Sequence, residues 1–314
     1  MKNINIAPMY IGTMIRAQDD EGLSEVVGFV LLLGVLVLAL SVYQLYAVPA
    51  AGRENEIAHM NQVKDRFTDY KIALDSLWVN HLNGVTLSTA FDLGSGTAAT
   101  EGGGIALPVL APVGSSGAVE VRSDAGAVTI ATGDNPGGVR IPLGLVQYVS
   151  GNNYWVDQTW TYQMGAVFLT QEGGTTVRVA PPLSVYNINN TTAAVRFTPV
   201  NITGSALFAG SGPVRIESRL RDMPPYDLDG LYENVTITVE TGDAGKAQAL
   251  KQVFREATRN GGVPAEWYSV GTDAGGTVSI RVDGPGPEGT PDVALSVTTA
   301  DYAVTVFNAA SLIE

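Results

Sequence analysis

The sequence predicts a mainly β protein on a long N-terminal α-helix: a transmembrane-type helix, then a β-sandwich-like head with one added helix. Three observations lead there. Val26–Val48 is 23 residues without a charge. A polar stretch follows in which apolar residues recur in steps of three and four, the helical period. From Gly84 onward, short Val/Thr/Ile/Tyr runs alternate with Gly-, Pro- and Asn-rich turns at spacings typical of a β head.

The apolar run comes first. At about 1.5 Å per helical residue, some 20 residues span the ~30 Å hydrocarbon core of a bilayer. The run exceeds the apolar core of a removable signal peptide, about 7–15 residues. Tyr43 and Tyr46 stand near its far end, where aromatic side chains favour the membrane interface. Pro49 then predicts a kink or break. Lys2 and Arg16 precede the run, and Arg53, Lys64 and Arg66 follow it, so charge counting does not fix the orientation. A large C-terminal part crosses largely regardless of charge, which places it outside. Four Asn-x-Ser/Thr triplets, at Asn189, Asn190, Asn201 and Asn234, make that part a candidate for glycosylation.

Gly22-Leu23-Ser24-Glu25-Val26-Val27-Gly28, leading into the apolar run, resembles the start of archaeal type IV pilin-like surface proteins with a class III signal peptide. The closest resemblance is to uncharacterised archaeal membrane surface proteins with an SEVVG-type start. It covers roughly residues 16–80. It implies a polar leader, 1–22, removed between Gly22 and Leu23 by a prepilin peptidase, with the apolar helix kept on the mature protein. Glu25 then stands at the third mature position. It further implies self-association through the N-terminal helix in a surface filament, with the head free for adhesion or contacts. An uncleaved single-span anchor is the alternative for the N-terminus. For the whole chain, the alternative is a non-filament single-pass surface protein that binds carbohydrate or cell-wall components.

After the span, Arg53–Asn83 reads as an amphipathic helix. Met60, Val63, Phe67, Tyr70, Leu74 and Leu77 form one stripe, Trp78 and Leu82 extend it, and Asn83-Gly84 signals its end. Amphipathic helices usually bury such a stripe within their own chain, and a filament contact is the other use of it. His59 and His81, the only histidines, read as two solvated helical residues, because a metal site needs more ligands than they supply.

The β region, 84–230, holds candidate strands that include Ile105–Leu110, Val139–Val149, Trp160–Thr170 and Ala193–Ile202, each as one run. Gly94–Gly104 is a loop. A helix at Asp243–Asn260, capped by Asp243 and ended by Gly261-Gly262, carries Ala247, Leu250, Val253, Phe254 and Ala257 on its apolar face. With strands at Val235–Glu240, Glu266–Val270, Thr277–Val282, Val293–Thr298 and Tyr302–Phe307, residues 231–314 read as a β-α-β-β-β part of the head or a subdomain.

Composition narrows the chemistry. The 314 residues carry a net charge of −13 and no cysteine. Disulfides, thiol catalysis and Cys-held metals are therefore excluded, and no nucleic-acid footprint is present. No G-x-S-x-G elbow, phosphate loop with its Lys, H-E-x-x-H or EF-hand loop occurs. The expectation is no catalytic set, no metal and no cofactor. The best acidic cluster is Asp222–Glu233, where Asp227, Asp229 and Glu233 offer hard oxygens in what reads as a Pro-led acidic turn. Trp155, Trp160 and Trp267 are expected to be buried in strands.

Overall fold

A computed structural model describes residues 17–96, 110–221 and 226–308, with side chains from Ser24 onward. Its first feature is one unbroken helical rod. Helix α1 spans Ala17–Val42, a single π turn spans Tyr43–Ala47, and α2 spans Val48–Val79. Pro49, expected to break the rod, sits in the first turn of α2 instead. The π turn is the reason. Val48 N–H bonds the carbonyl of Tyr43, five residues back. One extra residue in that turn eases the approach of the proline ring to the carbonyl four residues before it.

The rod has two environments. Residues 24–46 are exposed on all sides, and from Val26 on they are uncharged and mostly apolar. From Gly52 the rod is buried along one face: Met60, Val63, Phe67, Tyr70, Leu74 and Leu77 all have exposures of 3% or less. The stripe read from the sequence is thus the centre of the head's own core. Trp78 packs at its edge, whereas Leu82 is exposed. The helix ends earlier than Asn83-Gly84. Asn80 is the C-cap, and His81 takes the left-handed conformation, φ 54°. Leu82 N–H returns to Leu77 O at 2.9 Å and His81 N–H to Trp78 O at 3.2 Å, the paired bonds of a Schellman ending.

The head is mostly β, but it is not a single pair of sheets. Among the described residues, its strands form four sheets. One runs β1 (Thr86–Asp92), β13 (Pro213–Leu220), β19 (Ala300–Asn308), β11 (Val200–Thr203). The central one runs β12 (Ser205–Gly210), β2 (Ser116–Arg122), β5 (Leu145–Gly151), β6 (Thr159–Gln163), β7 (Ala166–Gln171), β8 (Gly174–Val179). The third runs β16 (Tyr268–Thr272), β17 (Thr277–Val282), β15 (Val235–Glu240), β3 (Ala127–Thr132), β4 (Asn135–Pro142). The fourth runs β14 (Gly230–Tyr232), β18 (Val293–Val297), β10 (Thr192–Phe197), β9 (Leu183–Ile188).

The extra sheets arise where a run expected to be one strand changes partner. Val139–Val149 divides at Leu143-Gly144, because the backbone of Ile202 crosses there so closely that a Cβ on Gly144 would overlap its carbonyl. Trp160–Thr170 divides at Met164-Gly165, both with positive φ, a tight hairpin turn. Ala193–Ile202 divides at Thr198-Pro199, where proline has no N–H for a ladder. Ile105–Leu110 lies almost wholly outside the described residues, as does most of Gly94–Gly104.

Two hydrophobic cores result. One gathers around the α2 stripe with Phe91, Tyr148, Trp160, Tyr162 and Tyr302. The other gathers under α3 (Ala244–Asn260) with Phe168, Phe197, Ile237, Phe254 and Ile280. Two parallel ladders tie them together. β10 pairs with β18 over the second core, and after both chains bend, β11 pairs with β19 over the first. The strands after residue 231 therefore pair with earlier ones, as β15 does with β3 and β19 with β13.

Candidate functional site

The most specialised geometry lies where the rod enters the head. Continuing the apolar stripe backwards by one and two turns reaches Glu56 and Gly52, and both are buried. Glu56 has an exposure of 1%. Its Oε1 accepts Asn153 N–H at 2.6 Å, and its Oε2 accepts Tyr154 N–H at 2.8 Å and Trp155 N–H at 2.6 Å. Three consecutive amides of the β5–β6 loop thus close on one carboxylate. Charge-assisted bonds of this kind are short and strong.

The same loop grips the rod on either side. The Tyr154 ring lies against Gly52, where a Cβ would overlap it, and Tyr154 Oη accepts Val113 N–H at 3.2 Å. The Arg53 guanidinium stacks 4.4 Å from the centre of the Trp155 ring. Trp155 is therefore half-buried in a loop, Trp160 is buried in a strand as expected, and Trp267 is half-buried in a short 3-10 turn.

One turn further, His59 is not solvated: its exposure is 4%. Tyr148 Oη gives its proton to Leu93 O at 2.8 Å, so His59 Nε2, 3.1 Å away, must be the donor to that phenol oxygen. Burial pulls the His59 pKa below its ordinary value, against the opposing pull of Asp92, the Leu93 carbonyl and Glu56. Burial likewise raises the Tyr148 phenol. His81, by contrast, is an exposed helix-ending residue.

Gly22, Leu23 and Glu25, the residues expected at a processing site, lie in α1, and Glu25 is exposed. The four Asn triplets differ sharply. Asn189 and Asn190 form an exposed β9–β10 turn with φ of 52° and 58°. Asn234 is half-buried before β15. Asn201 is buried in β11, where its amide donates to Asp301 Oδ1 at 2.7 Å and its carbonyl accepts Gly144 N–H at 3.0 Å. Its amide nitrogen has no room for a glycan in the folded head.

In the acidic cluster, residues 222–225 lie outside the described residues. Asp229 accepts Val297 N–H at 2.7 Å, and Glu233 accepts Gly289 N–H at 3.0 Å, so one holds the end of β18 and the other a neighbouring loop. Among the described residues, no group of three or more His, Asp or Glu is placed to hold a metal ion.

Comparison with known proteins gives no match: no family model, no curated protein and no solved structure is significantly similar to the chain. By its own structure the chain is an apolar N-terminal helix, long enough to cross a membrane, that runs on as one rod into a mostly β head.

Proposed function

We propose that the chain is an archaeal type IV pilin-like cell-surface protein, held in the membrane by residues 26–48 and presenting its β-rich head outside for adhesion or contacts. The observation that carries this reading is the single rod with two environments. Its first half has apolar side chains and no contact with the head, as a lipid or helix-bundle environment requires. Its second half is the centre of the head core. Force on the head would pass directly to the anchor, with no linker between.

The Gly22-Leu23-Ser24-Glu25 start supports processing to a mature Leu23 and assembly of the anchors side by side in a filament. In an apolar bundle Glu25 would need a partner from a neighbouring helix. The test is N-terminal sequencing and intact mass of the protein from its native membrane, with and without the prepilin peptidase. A mature Leu23 that depends on the peptidase is expected, with the subunit recovered in sheared filaments. An intact leader in both strains would leave a lone anchor. A start beyond Val48 would overturn the anchor itself.

A further inference from the structure

The outer face of the central sheet is polar where it should be covered. Strands β5 and β6 turn Val146, Tyr148, Trp160 and Tyr162 into the first core. Alternation then places Gln147, Thr159, Thr161 and Gln163 on the opposite face, and the register aligns Gln147, Thr161 and Phe168 across three strands. The first turn of α3 and the Thr241–Asp243 turn stand over this face. Between them is a cleft of about 690 Å³. Its size is that of a small-ligand site, but its walls are hydroxyls, amides and charges rather than apolar surface.

Two groups in the cleft lack the partners that burial demands. Thr161 is 0% exposed, and its hydroxyl makes no hydrogen bond. Lys246 is 7% exposed. Its ammonium lies over the Phe168 ring and has one long bond, 3.4 Å to Gln163 Oε1. Among the described residues no carboxylate pairs with it. A buried hydroxyl without a partner is costly, and an unpaired buried cation is costlier.

The acids nearby are already engaged. Arg140 binds Glu240 through both oxygens, at 2.5 and 2.8 Å. Asp243 caps α3 by accepting Lys246 N–H at 2.7 Å. Arg122 lines the same cleft, and its closest acid, Glu120, is 3.8 Å away. Lys246 is thus a buried cation without an ion pair among hydroxyl and amide groups; Asp243 acts on it only through space, Arg122 stands beside it, and exposed Asp124 is at the rim.

We propose that this cleft binds a carboxylated saccharide, a hexuronate unit, with its carboxylate on Lys246 and Arg122 and its hydroxyls on Thr159, Thr161, Thr170 and Gln147. A single carboxylate supplies the ion pair that buried Lys246 lacks. A polyol matches walls that offer donors and acceptors in alternation, and a bare anion would leave most of them unfilled. Burial lowers the Lys246 pKa to about 8, so the ammonium is present at neutral pH and can be lost just above it. The site is independent of whether the anchor assembles in a filament.

Calorimetric titration of the full chain in detergent micelles tests this, with glucuronate, glucose, acetate and a short oligogalacturonate as probes. Glucuronate should bind about tenfold or more tightly than glucose or acetate, the usual worth of a charged hydrogen bond. Lys246→Met should lose that margin with unchanged circular dichroism. Thr161→Val, which keeps the shape, should weaken binding several-fold and serves if the Lys246 variant does not fold. Glucuronate binding by the unaltered protein should fall as pH rises from about 7 to about 9. Oligogalacturonate binding would identify a unit within a polysaccharide as the source, and binding of the monomer alone would identify the free sugar acid. Equal affinity for glucose or acetate, unchanged binding in either variant, or no binding of any uronate would overturn the proposal.

Discussion

Glu56 and Trp155, 99 residues apart in the chain, are joined by a 2.6 Å hydrogen bond from the Trp155 amide to the Glu56 carboxylate. With the amides of Asn153 and Tyr154 it makes the turn by which the rod enters the head and the β5–β6 loop one unit. Glu56→Ala would leave three partly buried donors without an acceptor. We expect a loss of about 3 kcal/mol or more, and Glu56→Gln an intermediate loss because one amide oxygen replaces two. Denaturant unfolding of the full chain in micelles would measure both. Amide exchange should quicken first at residues 153–155.

Gly52 tests the same junction by shape alone. In an isolated helix, alanine is better than glycine by about 1 kcal/mol. Here the Tyr154 ring occupies the space of the new Cβ. Gly52→Ala should therefore destabilise by about 1–3 kcal/mol, the range for overpacking. Adding Tyr154→Ala to it should cost less than the sum of the two single changes. An additive double-mutant cycle would show that ring and glycine do not meet.

Much of this fold is legible in the sequence, and the exceptions have physical causes. The apolar span, the α2 stripe and α3 with its Asp243 cap follow from long periodic patterns, which many residues specify together. The strand Thr277–Val282 is read to the residue. The sheet count is not legible, because Leu143-Gly144 and Thr198-Pro199 are β-rich enough to read through, and only long-range crossings divide them. β1, β12 and β14 are not legible, because the patterns of Thr86–Asp92, Ser205–Gly210 and Gly230–Tyr232 are weak and these strands are largely exposed. His59 reads from the sequence as a solvated helical residue, and nothing in the residue types singles out Glu56. The signal was positional: they stand on or beside the backward extension of the stripe that starts at Met60. Lys246 is equally inconspicuous, a polar neighbour of Ala247 in the first turn of α3.

His59 gives the head a pH dependence of definite sign. Its folded pKa is below the unfolded value of about 6.5, so the fold favours neutral imidazole. That contribution is fully present above the unfolded pKa and is lost as pH falls through the lower, folded one. Of the groups facing the ring, Asp92, the Leu93 carbonyl and Glu56 reduce the loss without reversing it, and Tyr148 holds Nε2. Stability of the unaltered protein should drop as pH is taken from neutral to about 5. His59→Gln, which retains an amide donor for Tyr148, should flatten that part of the curve. An unchanged pH slope in the variant would assign the dependence to carboxylates elsewhere.

The Asn triplets make the last prediction, because burial separates sites that the motif cannot. Asn189 and Asn190 present exposed side chains on a turn, although Asn190 also bonds Asn187. Asn201 spends both halves of its amide on Gly144 and Asp301. Burial already raises the Asp301 carboxyl, and the Asn201 bond and Arg221, 3.5 Å away, hold it down. Asn201→Ala should raise that pKa further and cost about 2 kcal/mol, one charged hydrogen bond together with an unpaired Gly144 donor. Peptide mapping of the protein from its native cell should place any glycan in the Asn189–Asn190 turn, where Asn189→Gln and Asn190→Gln are expected to be neutral for folding. A glycan found on Asn201 in folded protein would mean that β11 does not hold its place beside β19.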